Sequence, residues 1–275
     1  MTALLEVGAG VGRPDAEAAT AARASAGPHP GRLAELVEWL AGTQGRYPPS
    51  EPKRVRCVVL DDFADGVPQL AASLDVGLVR LTAPATDAFA AGTAAADAEI
   101  DAGADLLVLA GRDDTTTSAV VTSLLTGAEP VALLPRGAAA VDTEAWIAHA
   151  ERIRDERRRA TALRTRPDEL LAAFDSPPLA AAAGFALRAA ARRTGLVLDG
   201  TLIVAAALLG ADVQLRARDW WQIADTSSDR AHARAVEQLA LRPLLTLGTS
   251  LGDGSVGLLA VAVLRAAVTT GVRGA

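Results

Sequence analysis

A chain of 275 residues is long enough to bury a substantial core in one large domain, or in one domain with a small attachment. Its net charge of −6 supplies no global basic field to recruit nucleic acid, and its one cysteine, Cys57, excludes an intrachain disulfide or a cysteine-based metal cluster, as suits the cytoplasm. Half of the residues are hydrophobic but only 3% are aromatic, so the core must be Ala, Leu and Val, which points to tightly packed helices rather than an all-β fold.

Residues 1–30, rich in Ala, Gly and Pro, read as a flexible arm with room for a short helix over 15–26. The Leu4-Leu5 patch there is too small for a signal-peptide core. Residues 31–45, GRLAELVEWLAGTQG, predict an amphipathic helix. Leu33, Leu36, Val37 and Leu40 share one face, and Gly42 or Gly45 can end it. Pro48, Pro49 and Pro52 make 46–53 a linker. Strand–helix alternation follows. Strands are expected at 55–60, 76–81, 105–110, 131–134, 196–198 and 220–224, and helices at 88–102, 115–126, 142–162, 179–193 and 202–209. Short apolar strands between helices predict an α/β fold, a doubly wound, mostly parallel sheet with helices on both faces. Segments 31–50 and 230–275 are expected to add a small helical part to this single domain, 31–275. Asp199 interrupts the apolar run 196–213 and Arg265 the C-terminal one, so no membrane span is expected.

In such sheets the ligand site lies beyond the C-terminal ends of the strands, where the polar loops of this chain fall. Asp61, Asp62, Asp65 and Gly66 follow the first strand. The third runs into Gly111-Arg112-Asp113-Asp114-Thr115-Thr116-Thr117, where Asp114 is placed to cap a helix beginning at Thr115. Arg136 and Gly137 follow 131–134, the arginine serving either a phosphate or a surface ion pair. The basic stretch 152–166 spreads around a helix and reads as a solvated face, as does His149. Asp199 can cap the helix after it and also face the site. Ser227 and His232 lie in ADTSSDRAH, the histidine in either a polar or a structural role. Last comes LRPLLTLGTSLGDGSVG, residues 241–257. Its Asp253, between Gly252 and Gly254, offers a carboxylate at a turn. That group suits either the cap of the last helix, together with Ser255, or a general base. No Gly-x-Gly-x-x-Gly follows the first strand, so a dinucleotide enzyme is not expected. No metal-ligand cluster is apparent, and neither metal nor cofactor is expected.

Pro243-Leu244-Leu245-x-Leu247-Gly248, three residues, then Gly252-Asp253-Gly254 resembles the C-terminal signature of nicotinate-nucleotide:dimethylbenzimidazole phosphoribosyltransferases. In that family the acid is a glutamate acting as general base on the benzimidazole nitrogen. The resemblance runs from about residue 31 to 268. Thr116 and Thr117 match the end of the family's glycine loop, Arg136-Gly137 its Gly-Arg-Gly-Thr loop, and Asp199-Gly200 an Asp-Gly after a strand. Ser227 and His232 match a Ser-His-Arg-Ser-x-Glu-x-Gly-His segment. Ala64-Asp65-Gly66-Val67 stands where the family has Asp-His-Gly-Val, Asp175-Ser176-Pro177-Pro178 where it has Gly-Gly-x-Glu, and the inner glycines of 111–118 are gone. Roughly forty residues of the base pocket have no counterpart, and a cleft with fewer walls buries less of its ligand.

The resemblance implies transfer of phosphoribose from nicotinate mononucleotide to a benzimidazole-type aromatic base, for the lower ligand of cobalamin. Asp253 would be the base. Thr116, Thr117, Arg136, Gly137, Asp199, Ser227, His232, Gly252 and Gly254 would bind substrate. It equally implies a homodimer built on the terminal helices, or a degenerate homologue that binds ligand or partners an intact copy.

Overall fold

The computed structural model describes residues 3–26, 31–112, 116–135, 142–249 and 251–271. Short, mostly apolar runs, too short for helices of their own, become strands: β1 (Val55–Leu60), β2 (Gly77–Leu81), β3 (Leu106–Gly111), β4 (Leu196–Asp199) and β5 (Trp221–Ile223). All pair in parallel, in the order β2-β1-β3-β4-β5. Every residue of β3 and β4 is buried, as a sheet covered on both faces requires. Alternate side chains divide the core. Cys57, Val59, Val108 and Val197 face one layer, and Val58, Leu60, Leu107, Leu109 and Leu198 face the other.

The helices are α1 (Ala3–Ala9), α2 (Ala16–Ser25), α3 (Arg32–Gln44), α4 (Val67–Ser73), α5 (Ala88–Asp101), α6 (Thr116–Thr126) and α7 (Pro130–Leu133), then α8 (Thr143–Thr161), α9 (Pro167–Ala173), α10 (Pro177–Ala191), α11 (Thr201–Val213), α12 (Arg230–Leu239) and α13 (Ser255–Gly271). The first layer holds α2, α3, α4 and α13, the second α1, α5, α10, α11 and much of α12. A satellite cluster of Val120, Leu133, Leu134 and Ile153 joins α6, α7 and α8. In the second layer α5 and α10 meet backbone to backbone. A Cβ at Gly92 would lie 2.0 Å from the Ala181 carbonyl oxygen, and one at Gly184 2.3 Å from that of Phe89.

Three expectations need correction. The strand expected at 131–134 is the helix α7, with Pro130 in its first turn, where a missing N–H and a fixed φ suit a helix start. Residues 3–25, expected as a loose arm, form α1 and α2 against the core. Leu4, Val11, Ala18 and Ala22 are buried, Asp15 caps α2 through the Ala18 N–H, and Asp168 on α9 accepts the Leu4 N–H at 3.1 Å. The helical part expected from both ends of the chain is divided. α3 and α13 meet in the first layer, whereas α12 packs on α6 and α11 in the other.

Candidate active site

The strand order fixes where a ligand can enter. The chain leaves β1 for β2 on one side and crosses back to β3 on the other, so the loops after β1 and β3 diverge at the strand tips, the place where sheets of this kind take ligands. The Gly252–Gly254 turn lies across this point. A Cβ at Gly254 would come 3.1 Å from Cys57 Sγ on β1, and one at Gly252 2.5 Å from the Gly111 carbonyl oxygen ending β3. Gly200, with φ of 102°, closes the same junction, since its Cβ would lie 2.8 Å from Gly252 Cα. Three loops thus interlock where only hydrogen fits.

Asp253 therefore stands at the strand tips, but its carboxylate does not project freely. Oδ1 accepts the Ser255 N–H at 3.0 Å and the Ser255 hydroxyl at 2.6 Å, which makes it a cap of α13. Oδ2 is 3.4 Å from the Arg112 guanidinium, whose Nε also donates to the Leu251 carbonyl at 3.2 Å. The Asp253 side chain is 4% exposed and that of Arg112 57%, so the arginine is the outer wall over Oδ2.

Asp199 departs from expectation in one respect: it does not cap α11, whose start at Gly200 has no side-chain cap. Its Oδ2 instead accepts the Gly257 N–H of α13 at 2.9 Å, and the nearby Gly254 N–H also favours its charged form. Burial, with the negative charges of Asp253 and Asp225, pushes this carboxyl up to about 6, against the pull of those two N–H groups. Asp225, which was not among the expected site residues, is structural. It accepts the Leu247 N–H at 2.6 Å and the Thr249 N–H and hydroxyl at 3.0 Å, fastening the strand that leads to the Asp253 turn. An aspartate directly after a short buried strand was the available signal.

His232 on α12 is buried, and its Nδ1 has no hydrogen-bond partner among the described residues. Burial pushes its pKa down and keeps the ring neutral, although Asp229 and Asp225 pull the other way. With Ser227, Asp199 and Asp225 it lines a cavity of about 10 Å³, room for one water. Ser227 Oγ accepts the Asp229 N–H, and Asp229 caps α12 through the Ala231 and His232 N–H groups. Thr116 and Thr117 open α6, and the Thr116 hydroxyl lies 3.2 Å from His149 Nε2. His149 is thus half-buried rather than solvated. Asp113, Asp114, Thr115, Arg136 and Gly137 lie outside the described residues. Wider openings, of about 480 Å³ beside α7 and α12 and about 280 Å³ near the N-terminal ends of β1, β3 and β4, are away from this cluster.

Residues 81–272 match a family model described as phosphoribosyltransferase. The nicotinate-nucleotide–dimethylbenzimidazole phosphoribosyltransferase of Mycobacterium ulcerans is 35% identical over 324 aligned residues, covering 94% of this chain and 90% of that protein. The Streptomyces avermitilis protein of the same name is 37% identical over 227 residues, covering 78% of this chain and 60% of that protein. The Mycobacterium ulcerans alignment is longer than the 275-residue chain, so that relative carries residues this chain lacks. The crystal structure of CobT from Thermus thermophilus superposes with a TM-score of 0.77 at 26% identity, covering 96% of this chain and 95% of that one.

Proposed function

The chain belongs to the phosphoribosyltransferase family, and from that premise we propose that it transfers the phosphoribosyl group of nicotinate mononucleotide to a benzimidazole-type base in assembly of the cobalamin lower ligand. The family match over 81–272, with a glycine-flanked carboxylate at the strand tips inside it, carries the reading.

The reaction breaks the bond from the anomeric carbon to the nicotinate nitrogen and forms one to a benzimidazole nitrogen. Nicotinate leaves with the bonding electrons. The second ring nitrogen must then lose its proton to a base. Asp253 Oδ2 takes that role, because Oδ1 is committed to Ser255. Arg112 has to move off Oδ2 for the base to reach it, and the substrate phosphate offers the guanidinium a better partner. Thr116 and Thr117, at the positive end of α6, and Arg136 and Gly137 complete the phosphate grip. Asp199, Ser227 and His232 act from behind the turn.

A second reading has one observation in its favour. Both Asp253 oxygens are engaged and the cavity behind the turn holds only a water, so the chain could bind a ligand or an intact homologue without turnover. Incubation with nicotinate mononucleotide and dimethylbenzimidazole, following nicotinate release, decides between them. Release that is lost in Asp253→Ala supports the transferase. No turnover and no thermal shift with either substrate rejects it.

We further propose a cytoplasmic homodimer. No helix among the described residues is long and apolar enough to cross a membrane, and the net charge disfavours a nucleic-acid partner. The apolar face of α13, with Leu258, Val261 and Leu264, is buried within the chain, so a dimer must use another surface. A light-scattering mass of one chain would remove the dimer.

A further inference from the structure

Asp253 stands on a turn that its own contacts do not hold. Its bonds run to Ser255, two residues away, and to an exposed arginine. Besides that arginine, what ties the turn to the sheet is Asp199, at the end of β4, which accepts the Gly257 N–H and lies beside the Gly254 N–H. The Gly257 bond joins the last residue of a rigid central strand to the first turn of α13, where the helix N–H groups have no partner within the helix.

We propose that Asp199 is a positioning residue: its ionised carboxylate clamps the Gly252–Gly254 turn on the strand tips and so sets the place and reach of Asp253. The inference rests on the transferase reading for the role of Asp253, but the clamp itself does not. The clamp is held against the interest of stability. Burial beside two other carboxylates disfavours the ionised form, and the Arg112 guanidinium is engaged by Asp253. The groups that face Asp199 are Asp253 on the turn, Asp225 after β5, the Cys57 thiol on β1 and, across the small cavity, His232 on α12. A neutral carboxyl would keep one strong acceptor where two N–H groups need partners.

The protein carries its own reporter. Cys57 is the single cysteine, fully buried, and Gly254 roofs its sulfur. Burial and the neighbouring carboxylates push its pKa up, so it reacts only when the turn lifts. In Asp199→Asn, native-state labelling of Cys57 by a thiol reagent should accelerate about tenfold or more. The urea midpoint at neutral pH should stay level or rise. Turnover should fall about 10- to 100-fold in kcat, with KM for nicotinate mononucleotide within about threefold. A merely structural aspartate would instead lower the urea midpoint along with the activity. If the variant does not fold, hydrogen exchange of residues 252–257 in the unaltered protein takes its place. After correction for intrinsic rates, the Gly257 amide should be protected at neutral pH to the level of the β4 amides.

Unchanged labelling, or a Gly257 amide that exchanges as fast as the exposed loops, overturns the clamp. Faster labelling with an unaltered kcat, or a loss confined to KM, overturns the positioning role. An unaltered protein that labels slowly, yet releases no nicotinate, removes the transferase reading and leaves the clamp standing.

Discussion

Replacement of Gly252 by alanine tests the interlock on which the site is built. Two costs arise. Gly252 has φ of 57°, and an L-residue there costs about 1–2 kcal/mol. Its new methyl would also lie 2.5 Å from the Gly111 carbonyl oxygen, on a strand with no buried room to retreat, which adds about 1–3 kcal/mol of overpacking. Gly248→Ala isolates the first cost, since φ there is 72° but nothing lies within 4 Å of the new methyl. Stiffening of the unfolded chain returns about 0.4–1 kcal/mol in both variants and cancels in the comparison. Thermal denaturation should therefore place Gly252→Ala below Gly248→Ala by about 1–3 kcal/mol, or about 2–5 °C in Tm for a chain of this size. Turnover should fall in the first and persist in the second. Equal Tm values would refute the interlock, because only the contact with Gly111 separates the two positions.

The pH dependence of stability has two opposed contributions. Asp199, raised to about 6, stabilises the fold fully below its unfolded value near 4 and loses that contribution as pH rises to 6, by at most about 3 kcal/mol. Urea midpoints of Asp199→Asn should therefore gain on the unaltered protein across that window. A constant difference would contradict the raised carboxyl. His232, with its pKa lowered, contributes stability above its unfolded value near 6.5 that is lost as pH falls through the folded value. His232→Gln should blunt this acid loss, as followed by circular dichroism against pH. Arg112→Ala should cost under about 1 kcal/mol of stability, the guanidinium being mostly exposed, yet weaken nicotinate mononucleotide binding measured by calorimetry. Unaltered affinity would take Arg112 out of the phosphate grip.

The sheet was readable because buried parallel strands are written as mostly apolar runs, a signature that 106–110 carries unbroken and 55–60 carries with Arg56 as its one interruption. The same signature misled at 131–134, where four apolar residues cannot tell a strand from one helical turn and Pro130 was the overlooked sign. α1 escaped because its stability is tertiary. Seven residues hardly form a helix alone, and Leu4 earns its place by packing. At the site, the position of Asp253 was legible from its glycines, and its capping of α13, where it accepts the Ser255 N–H, was one of the two roles foreseen. The reach of Asp199 to Gly257, 58 residues away, was not, because spacing along a chain says nothing about which distant N–H a carboxylate meets.

The scarcity of aromatic side chains finds its meaning where α5 crosses α10. With Ala, Gly and Phe backbones in contact at Gly92 and Gly184, much of this interior has little bulk to lose. Pruning is therefore mild across the alanine-lined crossing, while enlargement is severe. A single added methyl at either glycine wedges two helices apart and disturbs the end of β4 that α10 leads into. The molecule's tolerance of inherited change is lopsided, forgiving of shrinkage and unforgiving of growth, and its most dangerous substitutions sit far from where any reaction would occur.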